Sequence, residues 1–323
     1  MLEHAGRVVG KISVVFSFYN EAEVLPELIA RTRAIMAREV EKGDLHDYEL
    51  IFVNDASTDA SEEVLRAEAA KKPDIRMLTM SRNFGIGECL MAGFAHARGD
   101  VVAYLDADLQ DPPEVIADLL REYRAHPDAD VVYTTRLKRL GENPLKMWLT
   151  RMGYRLFRRL YDVPLPVDSG DFKLLSRKVV NHVVSLSDKR PFIRGMISFI
   201  GFKQIPVYYV REPRRAGETR CPLFSRKVLY HSIFRGFIAY SDAPLLFPFA
   251  ASMVLLGGGL ALLLGMAFSR SLLPPILASI FLLGALLTFL QGVQNLYIMN
   301  LRHQDRGHPL YIIKSKFGFD HDE

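Results

Sequence analysis

The chain has 323 residues, which is enough for one large domain or two domains of ordinary size. Its 41 Lys and Arg residues exceed its 37 Asp and Glu residues only slightly, so a net charge of +4 does not indicate nucleic-acid binding. With two cysteines, a disulfide framework and a cysteine-based zinc site are both excluded.

Strand and helix patterns alternate over the first 135 residues. Short β-branched and aromatic runs predict strands, and apolar residues at helical spacing predict the helices between them. The strands are predicted at 12–18, 48–54, 75–80, 101–106 and 129–135, and the helices at 24–37, 61–71, 86–97 and 113–125. This alternation predicts an α/β domain whose mostly parallel sheet is covered by helices on both faces.

Polar side chains follow each of the first four predicted strands. They are Tyr19, Asn20 and Glu21, then Asn54 and Asp55, then Ser81, Arg82 and Asn83, and finally Asp106, Asp108, Gln110 and Asp111. In a parallel sheet, ligands bind outside the carboxyl ends of the strands. One such cluster is compatible with a surface loop, whereas four on the same edge predict a binding site.

The cluster after the fourth strand suggests a metal site. Asp106, Asp108 and Gln110 stand at alternate positions, so their side chains point the same way in an extended turn. Their hard oxygen ligands suit Mg²⁺ or Mn²⁺, with open positions for a diphosphate. The sequence has no Walker A loop and no glycine-rich fingerprint after the first strand, which argues against P-loop phosphoryl transfer and nicotinamide chemistry.

The apolar residues are concentrated near the C-terminus, although the mean hydropathy of the whole chain is only +0.08. Residues 243–269 and 271–301 contain no charged side chain. Each run is longer than the roughly 20 residues that cross a bilayer as a helix. We therefore predict a hairpin of two transmembrane helices; the alternative is two core helices of a soluble domain.

Basic residues near the predicted spans indicate their orientation. Arg220, Arg226, Lys227 and Arg235 precede the first span, Arg302, Arg306, Lys314 and Lys316 follow the second, and only Arg270 lies between. The positive-inside rule then places both chain ends in the cytoplasm. Residues 1–11 contain no apolar signal region, so we expect the preceding domain on the cytoplasmic side of the inner membrane.

The predicted organisation has four parts. Residues 1–222 form the cytoplasmic domain, 223–242 a juxtamembrane amphipathic helix, 243–301 the two spans and 302–323 a cytoplasmic tail. The tail contains a strand-like run at 309–315, a candidate for strand pairing between subunits.

Five motifs together resemble one known family. They are YNE (19–21), VNDASTD (53–59), SRNFG (81–85), DADLQDPPE (106–114) and DSGDFKL (168–174). The sequence resembles the family 2 glycosyltransferases of the GT-A fold, from about residue 12 to the end. It is most similar to the branch that transfers a sugar from a nucleotide sugar to a polyprenyl phosphate, which includes dolichol-phosphate mannose synthase and the bactoprenol glucosyltransferases.

The resemblance implies roles on the donor side of the site. Nucleotide-binding roles fall on Tyr19, Glu21, Asp55, Arg82 and Asp106. In this family Asp106, Asp108 and Gln110 correspond to ligands of a divalent metal, Mg²⁺ or Mn²⁺, and of the diphosphate.

The resemblance also implies roles on the acceptor side. Asp171 corresponds to the base of inverting enzymes, with Asp168 as the second candidate; the alternative role for Asp171 is the N-cap of a helix predicted at 175–185. The lipid phosphate and the leaving diphosphate are assigned to Arg136, Lys146, Thr150, Arg211 and Arg214. Residues 145–161 are predicted as an interfacial helix, or else as a domain helix with a basic face.

The expected activity is metal-dependent, inverting transfer of a sugar from a nucleotide sugar to a polyprenyl phosphate, with undecaprenyl phosphate as the favoured acceptor. The bilayer and further copies of the chain are the expected partners, and nucleic acid is not. The sugar and the nucleotide base stay open. The alternatives are a polysaccharide synthase of the same fold, disfavoured because no QxxRW motif occurs, and a non-catalytic membrane scaffold.

Overall fold

The computed structural model describes residues 7–43, 45–136, 169–186, 191–210, 273–305 and 309–319. The chain divides into two compact units. The first unit comprises residues 1–151, 164–222 and 309–323, and the second comprises 152–163 and 223–308. Every site residue predicted from the sequence belongs to the first unit.

The nine elements predicted for the first 135 residues are all present. The strands are β1 (Val9–Phe18), β2 (Leu45–Asn54), β3 (Ile75–Met80), β4 (Val101–Asp106), β5 (Val131–Arg136), β6 (Ser169–Ser176), β7 (Gln204–Tyr209) and β8 (Ile313–Phe317). The helices are α1 (Leu25–Glu41), α2 (Ser61–Lys71), α3 (Ile86–His96), α4 (Val115–Ala125), α5 (Arg177–Ser185), α6 (Ile193–Ile200) and α7 (Leu273–Asp305).

The described strands form one sheet in the order β7-β5-β6-β4-β1-β2-β3-β8. Strand β1 pairs in parallel with β2 and β4, β2 with β3, and β5 with β7. Strand β6 lies antiparallel between β4 and β5, and β8 lies antiparallel to β3. The sheet is therefore mostly parallel, as predicted. Because β6 runs in reverse, its amino end lies at the carboxyl edge of β4.

The core lies on both faces of the central strands. On one face, the rings of Phe16 and Phe52 stack with centroids 4.7 Å apart, in a cluster that includes Leu28 of α1. On the other face α3 packs very closely, because a Cβ atom at Gly93 would lie 2.4 Å from a methyl group of Val15. Such two-sided burial explains why the strands are continuous apolar runs.

The C-terminal tail returns to the sheet of the first unit. Thr79 of β3 is in register with Ser315 of β8, and the amide of Ser81 donates to the carbonyl of Ile312 at 2.9 Å. The strand-like run predicted at 309–315 is thus a strand, displaced to 313–317. Within the chain it pairs with β3, whose backbone groups would otherwise be unpaired at the sheet edge. Strand pairing between subunits stays a prediction.

The second uncharged run forms α7. Within the described ranges, none of the helices is long and apolar enough to cross a membrane. The first predicted span at 243–269, the juxtamembrane helix at 223–242 and the interfacial helix at 145–161 lie outside the described residues.

Candidate active site

The loops after β1 and β2 are tied together by hydrogen bonds. The amide of Asn20 donates to Oγ of Ser57 at 2.9 Å, and the side-chain oxygen of Asn20 accepts from the amide of Thr58 at 2.8 Å. The amide of Glu21 donates to Oγ of Ser61 at 3.0 Å. The first two polar clusters predicted from the sequence therefore meet at one edge of the sheet.

Asp55 connects this pair of loops to the loop after β3. Its buried carboxylate accepts from the backbone amides of Phe84 at 2.7 Å and Gly85 at 3.1 Å, at the start of α3. Burial raises the pKa of the neighbouring Cys89 thiol, and the charge of Asp55 raises it further. Asp55 thus holds the third polar cluster in place.

Arg82 lies at the rim of this loop. Its guanidinium is 3.9 Å from the ring centroid of Phe84, and Nη1 donates to the carbonyl of Asn83 at 3.2 Å. The side chain is exposed to solvent. This places an exposed cation on the edge where the sequence predicts a nucleotide.

Among the residues that the structure describes, three other than glycine adopt positive φ angles, and each follows a strand of this edge. They are Asn20 after β1 (φ 56°), Ala56 after β2 (φ 59°) and Leu109 after β4 (φ 56°). Such conformations are costly for side chains with a Cβ atom and are concentrated at functional sites. The strained backbone at this edge therefore indicates a functional site.

The predicted metal ligands occupy the turn that leaves β4. Asp106 ends the strand in register with Ser17, and Oδ1 of Asp108 accepts from the amide of Gln110 at 3.1 Å. The described residues contain no group of three or more His, Cys, Asp or Glu side chains that suits a metal. The predicted set has only two carboxylates and an amide, so its hard oxygens fit a divalent ion that shares a diphosphate.

The turn is anchored from β7, which sequence reasoning missed. The hydroxyl of Tyr209 donates to the carboxylate of Asp111, and both side chains are buried. The local sequence around Asp111 does not predict this contact, because Tyr209 lies about a hundred residues further along the chain. The pairing of β5 with β7 brings Tyr209 next to the turn.

Asp171 lies near the start of β6 and is paired with Arg194 of α6. Both Nε and Nη2 of Arg194 donate to the two carboxylate oxygens of Asp171. The N-cap alternative for Asp171 is wrong, because α5 begins later and Oγ of Ser176 accepts from the amide of Val179 at 3.3 Å. Sequence reasoning missed Arg194, which follows no predicted strand.

Lys173 lies two residues further along β6, fully buried. It is in register with Tyr104 of β4 on one side and with Tyr133 of β5 on the other. Burial lowers its pKa to about 8; the charge of Arg194 lowers it as well, and that of Asp171 opposes the shift. Among the described residues, neither the Lys173 amine nor the Tyr104 hydroxyl has a hydrogen-bond partner.

Several predicted acceptor residues are not covered by the structure. Arg136 is the last residue of β5, one residue beyond the predicted strand, and its side chain is not described. The others lie outside the described residues: Lys146, Thr150, Asp168, Arg211 and Arg214. Their predicted roles in acceptor binding stay predictions.

The described part of the site thus places two sets of charges at one edge of the sheet. The carboxylates of Asp106 and Asp108 leave β4, and the pair of Asp171 and Arg194 stands at the adjacent end of β6. Oxygen ligands beside an aspartate and an arginine suit the transfer of a group from a donor whose leaving group is a diphosphate.

Comparison with known proteins identifies the family. Residues 13–184 match the family described as glycosyl transferase family 2. The uncharacterized glycosyltransferase YkcC of Bacillus subtilis is 34% identical over 315 residues, which cover 95% of this chain and 94% of that relative. The prophage bactoprenol glucosyl transferase homolog of Escherichia coli is 33% identical over 311 residues, covering 94% and 98%.

A solved structure of lower similarity is glucosyl-3-phosphoglycerate synthase from Mycobacterium tuberculosis, in complex with Mn²⁺, UDP-glucose and phosphoglyceric acid. It is 19% identical with a TM-score of 0.47, and the likeness covers 71% of this chain and 79% of that one. The family match spans more than half of the chain, and the two relatives span nearly all of it. The resemblance read from the motifs is confirmed, and the chain is a glycosyltransferase that belongs to glycosyl transferase family 2.

Proposed function

We propose that this glycosyltransferase moves a sugar from a nucleotide sugar to a polyprenyl phosphate, with inversion, at the cytoplasmic face of the membrane. The observation that carries the proposal is the shared edge of the sheet, where Asp106 and Asp108 stand beside the pair of Asp171 and Arg194. The prophage bactoprenol glucosyl transferase homolog of Escherichia coli and the bactoprenol glucosyl transferase of Shigella phage SfX support a polyprenyl acceptor, since each is 33% identical over nearly its whole length.

The chemistry needs little from a general base. An oxygen of the lipid phosphate, already anionic near neutral pH, attacks the anomeric carbon of the sugar. The new bond from carbon to phosphate oxygen forms as the bond to the diphosphate breaks, and the nucleoside diphosphate leaves with the electron pair. Catalysis then depends on positioning and on charge stabilisation. In this proposal Asp171 takes a proton from a monoprotonated acceptor or stabilises positive charge at the anomeric carbon.

The donor side is formed by the loops that Asp55 and Asn20 hold together. Glu21 and Asp55 follow the first two strands, where the family holds the nucleoside. Asp106, Asp108 and Gln110 would hold a divalent ion. When bound, such an ion would neutralise the negative charge of the diphosphate. Exposed Arg82 adds a cation to the same rim.

Membrane attachment is supported by the sequence and by the path of the chain. Residues 243–269 and 271–301 are uncharged, and in α7 apolar side chains such as Ile280, Leu287 and Phe289 are exposed. Strand β8, which follows these runs, belongs to the same sheet as β1 to β7. A chain that leaves a domain and returns to it crosses a bilayer an even number of times, in agreement with two spans.

The test is a transfer assay with the purified full-length chain. Undecaprenyl phosphate is offered with each of five donors: UDP-glucose, UDP-galactose, UDP-N-acetylglucosamine, GDP-mannose and a UDP-4-amino-4-deoxyarabinose derivative. We expect one lipid-linked monosaccharide, identified by mass spectrometry. A polymer formed without the lipid would indicate a polysaccharide synthase, and inactivity with every donor would refute the proposed transfer from these donors to undecaprenyl phosphate.

A further inference from the structure

Arg194 holds Asp171 in the geometry with which arginine also binds phosphate. Two N–H groups of one guanidinium face two oxygens of one acidic group. Arginine forms the same fork with carboxylates and with phosphates. The two side chains keep 32% and 43% of their surface exposed, so an incoming anion can reach the pair.

Lys173 supplies a second cation on the buried side of Asp171. Side chains of a strand alternate between faces, so Asp171 and Lys173 share one face of β6. The Lys173 amine is fully buried, interacts electrostatically with both Asp171 and Arg194, and has no hydrogen-bond partner among the described residues. The nearest aromatic contact is distant, with the amine 5.9 Å from the ring centroid of Tyr133. A buried amine without a hydrogen-bond partner is unfavourable unless a neighbouring group takes up its charge or its proton.

We propose that Arg194 binds the phosphate of the lipid acceptor, that Asp171 occupies Arg194 while the acceptor is absent, and that Lys173 becomes the partner of Asp171 once Arg194 turns to the phosphate. This inference rests on the proposed function. It assigns Arg194 to substrate binding and makes Lys173 a positioning residue that acts through Asp171.

The acceptor is favoured over the donor because of where the pair lies. The donor diphosphate is expected at the turn after β4, where Asp106 and Asp108 lie. Asp171 is the candidate base, so the phosphate that meets it is the nucleophile. The exchange also keeps charges balanced, since Asp171 gains Lys173 as it loses Arg194.

Equilibrium binding tests the exchange. The full-length chain in detergent is titrated by calorimetry with farnesyl phosphate, which serves as a short-chain acceptor. Farnesol is the control ligand without a phosphate, and UDP-glucose is titrated separately as the donor. Arg194→Gln should weaken farnesyl phosphate binding about tenfold, the equivalent of one charge-assisted hydrogen bond. Asp171→Asn should instead tighten it by about threefold or more, because Arg194 is no longer occupied.

Lys173 is tested through a double-mutant cycle. Lys173→Met should weaken farnesyl phosphate binding about fivefold in the wild-type background, because Asp171 then has only Arg194 as its partner. In the Asp171→Asn background the same substitution should change the binding by less than about twofold, whereas a purely structural lysine would act equally in both. Arg121→Gln, on the exposed face of α4, is the matched control and should leave binding unchanged.

The outcomes separate the two levels of the proposal. Wild-type protein that binds no farnesyl phosphate overturns the proposed function and this inference together. Two results would refute the exchange while leaving the proposed function intact, provided that the wild-type protein binds farnesyl phosphate. One is that Asp171→Asn weakens binding, and the other is that Lys173→Met has the same effect in both backgrounds. A change in UDP-glucose binding instead of farnesyl phosphate binding would assign Arg194 to the donor and overturn the acceptor assignment.

Discussion

Oδ1 of Asp55 lies 2.7 Å from the backbone nitrogen of Phe84, so a carboxylate that follows β2 sets the position of the loop that follows β3. Its other oxygen accepts from the amide of Gly85, the residue before α3. The resemblance to the family implies a nucleoside contact for this residue, which stays a proposal. What the structure shows is that one buried side chain shapes the loop at this edge of the sheet.

We expect Asp55→Ala to lower the free energy of unfolding by about 2 kcal/mol, because two backbone amides lose a charged acceptor in a buried position. Thermal unfolding followed by circular dichroism measures the change. Asp118→Ala is the control: its side chain on α4 is 43% exposed and pairs only with the solvent-exposed Arg121 in the described ion pairs, so stability should shift by less than about 0.5 kcal/mol. Equal effects of the two substitutions would show that Asp55 does not organise the loop.

Asp108→Ala should lower turnover by at least about a hundredfold, because it removes an anionic ligand at the diphosphate. EDTA should abolish transfer by the wild-type enzyme, and Mn²⁺ or Mg²⁺ should restore it. The assay is sugar transfer to undecaprenyl phosphate, with Asp118→Ala as the matched aspartate control. Full activity in EDTA would refute the metal assignment of Asp106, Asp108 and Gln110.

The buried amine of Lys173 should make stability depend on pH. The pKa of Lys173 is about 8 in the folded chain, against an ordinary value of 10.5. Between pH 8 and pH 10.5 the unfolded chain therefore binds more protons than the folded chain, so the free energy of unfolding rises with pH. The cost, about 3 kcal/mol, is complete below pH 8. Lys173→Met should therefore exceed the wild type in stability at pH 7, and the difference should shrink toward pH 10. A difference that stays constant over this range would contradict the burial of a titrating amine.

Removal of the tail should expose the edge of the sheet. Deletion of residues 309–323 uncovers β3, whose Met77, Leu78 and Met80 are buried. We expect the melting temperature to fall by about 5 °C and the protein to aggregate, because an unpaired edge strand pairs with other chains. Size-exclusion chromatography and thermal melts measure both effects. Deletion of 320–323 alone is the control, and equal behaviour of the two truncations would refute the role of β8.

Reporter fusions should reveal the topology. A reporter after Glu323 should behave as cytoplasmic, since β8 of the tail belongs to the same sheet as the domain that we propose to face the cytoplasm. A reporter inserted at Ser271 should behave as exported, because this position separates the two uncharged runs. A cytoplasmic signal at Ser271 would mean that the hairpin does not cross the bilayer.

The sequence predicted the first nine elements with their order, and three of the strand and helix ranges match the structure to the residue: 61–71, 75–80 and 101–106. These segments are continuous apolar runs or helices with a clear apolar face, so their type depends on local pattern. The sequence also predicted that four polar clusters share one edge, because parallel strands end on the same side of a sheet. The bonds from Asn20 to Thr58 and from Asp55 to Phe84 confirm this for three of them.

Other features depend on contacts between residues far apart in the chain, and only the tertiary structure decided them. The reversed insertion of β6 brings Asp171 to the edge where Asp106 lies, and the packing of α6 pairs it with Arg194. The pairing of β8 with β3 likewise depends on the tertiary structure, because the strand pattern does not specify which strand β8 pairs with. Hydrophobic periodicity specifies which face of an element is buried, but not which element packs against it. The sequence by itself therefore determined the α/β class and the motifs of the family, while the tertiary structure decided which charged side chains meet.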